Sequence, residues 1–102
     1  MQNHVEVLDR EYVMNHGAKP RGRGNWGFCL VNPNRFDYLD FIVWANGRYS
    51  DAEKAAKAVV LGKLQAPGEY PVGNETVRVN FSEKAAELLK SGRHASVLYV
   101  CS

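Results

Sequence analysis

The sequence predicts an α+β fold: a single domain with a mixed, mostly antiparallel sheet of about five strands and two helices packed on one face. Three observations predict it. Several short segments alternate apolar and polar residues, which is typical of strands. Two longer segments rich in Ala, Glu, Lys and Leu each follow a serine, which is typical of capped helices. The 102 residues are 45% hydrophobic and 24% charged, as in one globular domain.

The N-terminal quarter predicts a strand followed by a loop. Residues 4–14 mix alternation with β-branched residues, which predicts an imperfect strand with a bulge near Leu8–Asp9. Residues 15–25 predict an exposed, basic, glycine-rich loop. The stretch 15–35 contains four cations and no Asp or Glu, although the formal net charge of the chain is only +2. A local cationic patch is therefore expected rather than a wholly basic protein that coats nucleic acid.

The centre of the sequence predicts two adjacent strands. Residues 26–31 carry aromatic residues on one face, and a turn is expected at 32–37. Residues 38–45 form the strongest strand pattern, with one continuous apolar face and one mixed face that a partner could contact. Asn46–Gly47 favours a type I′ hairpin turn because both residues tolerate positive φ. A short returning strand of Arg48 and Tyr49 would follow.

The C-terminal half predicts two helices and two strands. Ser50 and Glu53 form a capping-box pattern for a helix that ends near residue 64. A loop at 65–71 and a tight turn at Gly73–Asn74 precede an alternating strand at 75–81. Ser82 is expected to cap a second helix that ends at residue 91, before a last strand at 94–101. The resulting order is β-β-β-α-β-α-β, in which the second helix would join two parallel strands by a right-handed crossover.

No catalytic or cofactor motif is recognisable in the sequence. The histidines and cysteines have no metal-ligand spacing, so neither a metal site nor a cofactor is expected. Gly22-Arg23-Gly24 precedes a strand rather than a helix and is therefore not a nucleotide-binding loop. Cys29 lies in the middle of an apolar segment, where a thiol is more often packed than reactive. The protein is therefore expected not to be an enzyme, and a small thiol-dependent enzyme that uses Cys29 is kept as a second alternative.

The two cysteines and the absence of targeting signals indicate the compartment. Cys29 and Cys101 each lie in an apolar run, which predicts two buried, reduced thiols. A disulfide between neighbouring strands is the alternative that the sequence leaves open. The sequence has no apolar run of the ~18 residues that a membrane span needs and no signal peptide at its N-terminus. A cytoplasmic location is expected, in the host cytoplasm if the gene is viral, with no membrane partner.

The basic loop and the nearby aromatic residues form the candidate binding site. Guanidinium groups bind carboxylates and phosphates, and Trp and Tyr are frequent at interface hot spots. Trp26 shares its predicted face with Phe28 and Leu30, so a role in the core competes with a role in binding. The predicted binding residues are Lys19, Arg21, Arg23, Asn25, Trp26, Arg35, Tyr38, Trp44, Arg48 and Tyr49.

These features predict a small, non-enzymatic interaction protein that binds a larger protein or nucleoprotein partner. Small domains of this kind, with few cysteines and no catalytic constellation, are common among phage and mobile-element inhibitors of host machinery, and that class is the expectation here. The first alternative is a module that binds RNA or single-stranded DNA directly through the loop and the Trp44 strand face. The oligomeric state is left open, because a sheet edge can pair without any sequence signal.

Overall fold

The computed structural model describes residues 5–30, 43–91 and 97–101, in which six strands and three helices are formed. In chain order these are β1 (Glu6–Leu8), α1 (Arg10–His16), β2 (Arg23–Leu30), β3 (Val43–Arg48), α2 (Tyr49–Val60), β4 (Gly68–Val72), β5 (Glu75–Phe81), α3 (Glu83–Ser91) and β6 (Val97–Val100).

The strands form one mixed sheet in the order β1-β6-β2-β3-β5-β4. The β1–β6 pair is parallel, and the other four pairs of neighbouring strands are antiparallel. The α+β class and the mixed, mostly antiparallel sheet are therefore confirmed, with six strands and three helices in the described residues instead of about five and two.

The two faces of the sheet differ in character. Alternate residues of β2, β3 and β5 point to one side, the inner face, where they are buried against helix residues. Residues between them point to the opposite side, named here the outer face, and most of these are polar and exposed. The buried core of the inner face includes Trp26, Phe28, Val43, Ala45, Val77, Val79, Leu98 and Val100.

Small residues allow α2 to lie close to the sheet. Ala52, Ala55 and Ala56 are fully buried and belong to the same cluster as the strand residues. The helix begins at Tyr49 after an extended Arg48, with no side-chain hydrogen bond to its N-terminus, so the predicted Ser50 capping box is not formed. It ends at Val60 rather than near residue 64.

The strand predicted at 4–14 is wrong beyond Leu8. Its second half is the helix α1, which begins after Asp9. Tyr12 and His16, one helical turn apart, stack with ring centroids 4.1 Å apart. Gly17 ends the helix in the left-handed conformation, and its N–H donates to the Val13 carbonyl at 2.8 Å.

The hairpin predicted at Asn46–Gly47 is also wrong. Both residues lie inside β3, where they pair with Asn25 and Gly24 of β2. β2 consequently begins at Arg23, and the basic connection shortens from 15–25 to 17–22.

A tight turn does occur at Gly73–Asn74, because Val72 pairs with Glu75 across it. The strand before this turn, β4, replaces most of the loop predicted at 65–71 and lies at the edge of the sheet, where Pro71 is tolerated.

The predicted crossover between two parallel strands is wrong. The segment after α3 does form a strand, but β6 pairs with β1 and β2, and two strands separate it from β5. Each step from β5 to β3, from β3 to β2 and from β2 to β6 is antiparallel, so β5 and β6 run in opposite directions. The parallel partner is β1, which sequence reasoning had not placed beside it. The predicted turn at 32–37 and the first part of the strand predicted at 38–45 lie outside the described residues.

Ser82 caps α3 as its position predicted. The Ala85 N–H donates to Ser82 Oγ at 3.2 Å. Replacing Ser82 by alanine should lower the free energy of unfolding by about 1 kcal/mol, because an N-terminal N–H of the helix loses its acceptor. Urea denaturation followed by circular dichroism measures this. Ser50→Ala is the matched control and should change stability by less, since α2 has no side-chain cap. Equal losses in the two variants would contradict the cap assignment.

Candidate binding surface

The register of the three central strands assembles a polar area on the outer face. Asn25 pairs with Asn46, which in turn pairs with Arg78 on β5. In the next outer-face row, Trp44 pairs with Asn80. The five side chains line one shallow, open depression, in which amides and a guanidinium surround the partly buried indole of Trp44. This area offers hydrogen-bond donors and acceptors together with an aromatic surface.

A second cluster, named here the basic end, consists of Arg21, Arg23 and Arg48. Arg23 and Arg48 are directly paired where β2 begins and β3 ends. Arg21 lies just before β2, and all three line a depression beside the start of α2, at Tyr49 and Ser50. The outer-face row of Arg23 and Arg48 follows directly after the row of Asn25 and Asn46. The basic end and the polar area are thus continuous.

Carboxylates of the same chain form ion pairs with Arg23 and Arg48 of the basic end and with Arg78 of the polar area. Glu75 forms ion pairs with Arg23 and with Arg48 Nε, the latter at 3.5 Å. Arg78 pairs with Glu69 Oε1 at 2.9 Å. The side chains of the three arginines nevertheless stay 62–74% exposed. Exposed pairs of this kind are worth only ~0–1 kcal/mol, and one carboxylate cannot neutralise two guanidiniums. The basic end therefore keeps excess positive charge and can exchange its internal partner for an external anion.

The connection 17–22 is anchored to the folded body at Gly22. The Gly22 carbonyl accepts hydrogen bonds from the Tyr49 N–H at 2.9 Å and from Trp26 Nε1 at 3.2 Å. Trp26 is only 6% exposed, and its ring lies 5.6 Å from that of Tyr12 and 5.0 Å from that of Tyr49. The indole thus belongs to the core, and its hydrogen bond to the Gly22 carbonyl holds the end of the connection 17–22 against the inner face.

Tyr49 is half-buried and, like Trp26, packs in the core and hydrogen-bonds the Gly22 carbonyl, here through its backbone N–H. Desolvation raises the pKa of its hydroxyl above the usual value, and the negative charges of Glu53 and Asp9 raise it further. The group therefore stays neutral at any physiological pH. Its ring packs against Trp26 and Phe28 in the core.

The structure separates the predicted site residues into three groups. Arg21, Arg23 and Arg48 form the basic end, with Lys19 exposed in the same connection. Asn25 and Trp44 lie in the polar area of the outer face, whereas Trp26 and Tyr49 support it from the core. Arg35 and Tyr38 lie outside the described residues.

Sequence reasoning missed three members of the polar area: Asn46, Arg78 and Asn80. The alternation that correctly placed Val77 and Val79 in the core also put Arg78 and Asn80 on the opposite face, which was the available signal.

The described residues contain no group of three or more His, Cys, Asp or Glu side chains that could hold a metal ion. Cys29 is 4% exposed, and its Sγ lies 2.6 Å from Cys101 Sγ.

Comparison of the chain with protein-family models, with curated proteins and with solved structures finds no match. Within the described segments, no helix has both the length and the apolar character needed to cross a membrane.

Proposed function

We propose that the protein is a non-enzymatic binding module that attaches to an acidic surface of a larger protein or nucleoprotein through the basic end and the polar area of the outer face. The observation that carries this proposal is the pair of exposed guanidiniums, Arg23 and Arg48, which share the single carboxylate of Glu75.

The rigidity of the surface supports the proposal. Its side chains project from β2, β3 and β5; β3 pairs with β2 over six residues and with β5 over four. Strands buried on their inner face do not rearrange easily, so the outer side chains are held in a fixed pattern before a partner arrives. Such preorganisation lowers the entropic cost of association.

The charge of the surface supports an acidic partner. The basic end and its flanking connection contribute Lys19, Arg21, Arg23 and Arg48, against the carboxylate of Glu75. Arginine binds carboxylates with two parallel hydrogen bonds and keeps its charge at any physiological pH. A partner carboxylate that displaced Glu75 would gain this geometry at little cost, because the internal pair is exposed to solvent.

Direct binding of RNA or single-stranded DNA is the second candidate, and the position of Trp44 favours it. The indole is partly exposed on the outer face beside Asn80, and Asn25 and Asn46 lie in the next row. An aromatic ring among amides, bordered by arginines, can stack one base and hydrogen-bond its edge while phosphates contact the guanidiniums.

The test is capture from nuclease-treated lysate of the native host by immobilised wild-type protein and by the double variant Arg23→Glu/Arg48→Glu. A specific partner should be retained by the wild type and bind about 30-fold or more weakly to the variant, because two central charge contacts become repulsive. Circular dichroism checks that the variant is folded. Equal capture by the two proteins would overturn the proposal.

A matched control is available on α3. Lys84→Glu/Lys90→Glu changes the net charge by the same amount at exposed positions of a different element and should leave capture unchanged.

Direct nucleic-acid binding, the second candidate, is tested by titrating a labelled single-stranded oligonucleotide at several salt concentrations. Log affinity should fall with log salt with a slope near −0.7 per phosphate contact. An oligonucleotide that does not bind at ~50 mM salt would remove the nucleic-acid candidate.

A further inference from the structure

Cys29 and Cys101 are 72 residues apart in the sequence, and the fold brings them together. Cys29 pairs with Tyr99 of β6, and Cys101 follows two residues later, so both thiols lie on the outer face of neighbouring strands. The Cys101 N–H donates to the Gly27 carbonyl at 3.0 Å, which extends the β2–β6 ladder to this residue. The two Sγ atoms are 2.6 Å apart, and neither cysteine is in a disulfide.

The two thiols differ in their surroundings. Cys29 is buried near the end of β2, whereas Cys101 lies just after β6 and is partly exposed. Hydrogen bonding from the Cys29 thiol lowers the pKa of Cys101 below its usual value, although burial and the charge of Glu11 act in the opposite direction. A partly exposed cysteine with increased thiolate character next to a second thiol is the arrangement found in reversible redox sites.

We propose that Cys29 and Cys101 form a peroxide-sensitive thiol pair that converts reversibly to an intramolecular disulfide. The close approach of the two sulfurs on hydrogen-bonded neighbouring strands carries this inference. Because the two residues lie on hydrogen-bonded neighbouring strands with their sulfur atoms already in contact, a disulfide can form without displacement of a strand.

The reaction takes two steps with hydrogen peroxide as the oxidant. The Cys101 thiolate attacks one peroxide oxygen, the O–O bond breaks, and the departing hydroxide takes up a proton to leave as water. Cys101 is then a sulfenic acid. The Cys29 sulfur attacks the Cys101 sulfur, the S–O bond breaks, and the released hydroxide takes the Cys29 proton to form a second water. The two thiols thus lose two electrons to one peroxide molecule, and a small dithiol reduces the disulfide back to two thiols.

The different exposure of the two thiols to solvent decides which one reacts with peroxide. Cys101 meets the oxidant because part of its surface is exposed, and Cys29 resolves the sulfenic acid because it is already in contact with it. The bond would tie Cys101, just after β6, to Cys29 near the end of β2. It lies on the same face as the polar area, with Gly27 between Cys29 and Asn25 along β2.

The experiment treats purified full-length protein with hydrogen peroxide and then measures intact mass, free thiols and the disulfide-linked peptide. Wild-type protein should lose the mass of two hydrogen atoms and both free thiols, remain monomeric on a non-reducing gel, and recover with dithiothreitol. Cys29→Ser should stop at a sulfenic acid on Cys101, trapped by a dimedone-type reagent. Cys101→Ser should keep its single thiol free much longer, because Cys29 is buried.

Three results would overturn the proposal. The first is wild-type protein that keeps both thiols at peroxide concentrations that oxidise Cys101 in Cys29→Ser. The second is oxidation of Cys101 to sulfinic acid while Cys29 stays free. The third is a disulfide that forms only between two molecules.

Discussion

Replacing Phe28 by alanine is expected to lower the free energy of unfolding by about 3–5 kcal/mol. Phe28 is the largest of the fully buried side chains in the described residues and lies in the second half of β2. Its register neighbours are Val43 on β3 and Val100 on β6, and its ring stacks on that of Tyr49 from α2. Truncation leaves a cavity where four elements meet. Urea denaturation followed by circular dichroism gives the change in the free energy of unfolding.

Two further variants keep this test informative. Phe28→Leu retains most of the volume and should lose clearly less stability, so a measurable value remains if Phe28→Ala is largely unfolded. Met14→Ala removes a side chain that is 77% exposed on α1 and should change stability by at most about 0.5 kcal/mol. If Phe28→Ala were as mild as Met14→Ala, this residue would not be at the centre of the core.

The parts of the fold that the sequence predicted well are those with a local cause. Val77 and Val79 alternate with polar residues because one face of β5 is buried and the other exposed, and this periodicity is visible in the sequence itself. Ser82 was identified for the same reason, because a cap acts on N–H groups only a few residues away.

The failure at Asn46–Gly47 shows where local reasoning stops. Gly73–Asn74 has a similar composition and does form a turn, whereas Asn46–Gly47 continues β3. The difference is the partner strand. Asn46 and Gly47 pair with Asn25 and Gly24 at one end of a six-residue ladder between β2 and β3. This tertiary pairing keeps the dipeptide extended, and the sequence of the dipeptide does not encode it.

The candidate site was predictable in part for similar reasons. Its arginines were recognised from composition alone. Their shared carboxylate, Glu75, is 52 residues from Arg23 and was not recognised. Arg78 was missed because its place beside Asn46 in the polar area depends on which strand lies next to β3, and strand order is not a local property. The same limit explains why the contact between the two thiols could not be deduced.

Replacing Gly73 by alanine should lower the free energy of unfolding by about 2–4 kcal/mol. Gly73 has φ +62° in the turn between β4 and β5, a region that is unfavourable for residues with a side chain. A Cβ at this position would also lie 2.8 Å from Oδ1 of Asp51, a buried side chain in the first turn of α2. Strain and steric overlap therefore add. The measurement is urea denaturation followed by circular dichroism.

Gly62→Ala separates the two contributions. Gly62 has φ +80°, but a Cβ there would meet nothing within 4 Å, so only the cost of the backbone conformation, about 1 kcal/mol, is expected. In an Asp51→Ala background the steric overlap is absent. Gly73→Ala should therefore lower the free energy of unfolding of Asp51→Ala only by the cost of the backbone conformation. Equal losses for Gly62→Ala and Gly73→Ala would mean that the turn does not lie against α2. Glu75 follows this turn directly. The contact of the turn with Asp51 therefore also positions the carboxylate that pairs with Arg23 and Arg48.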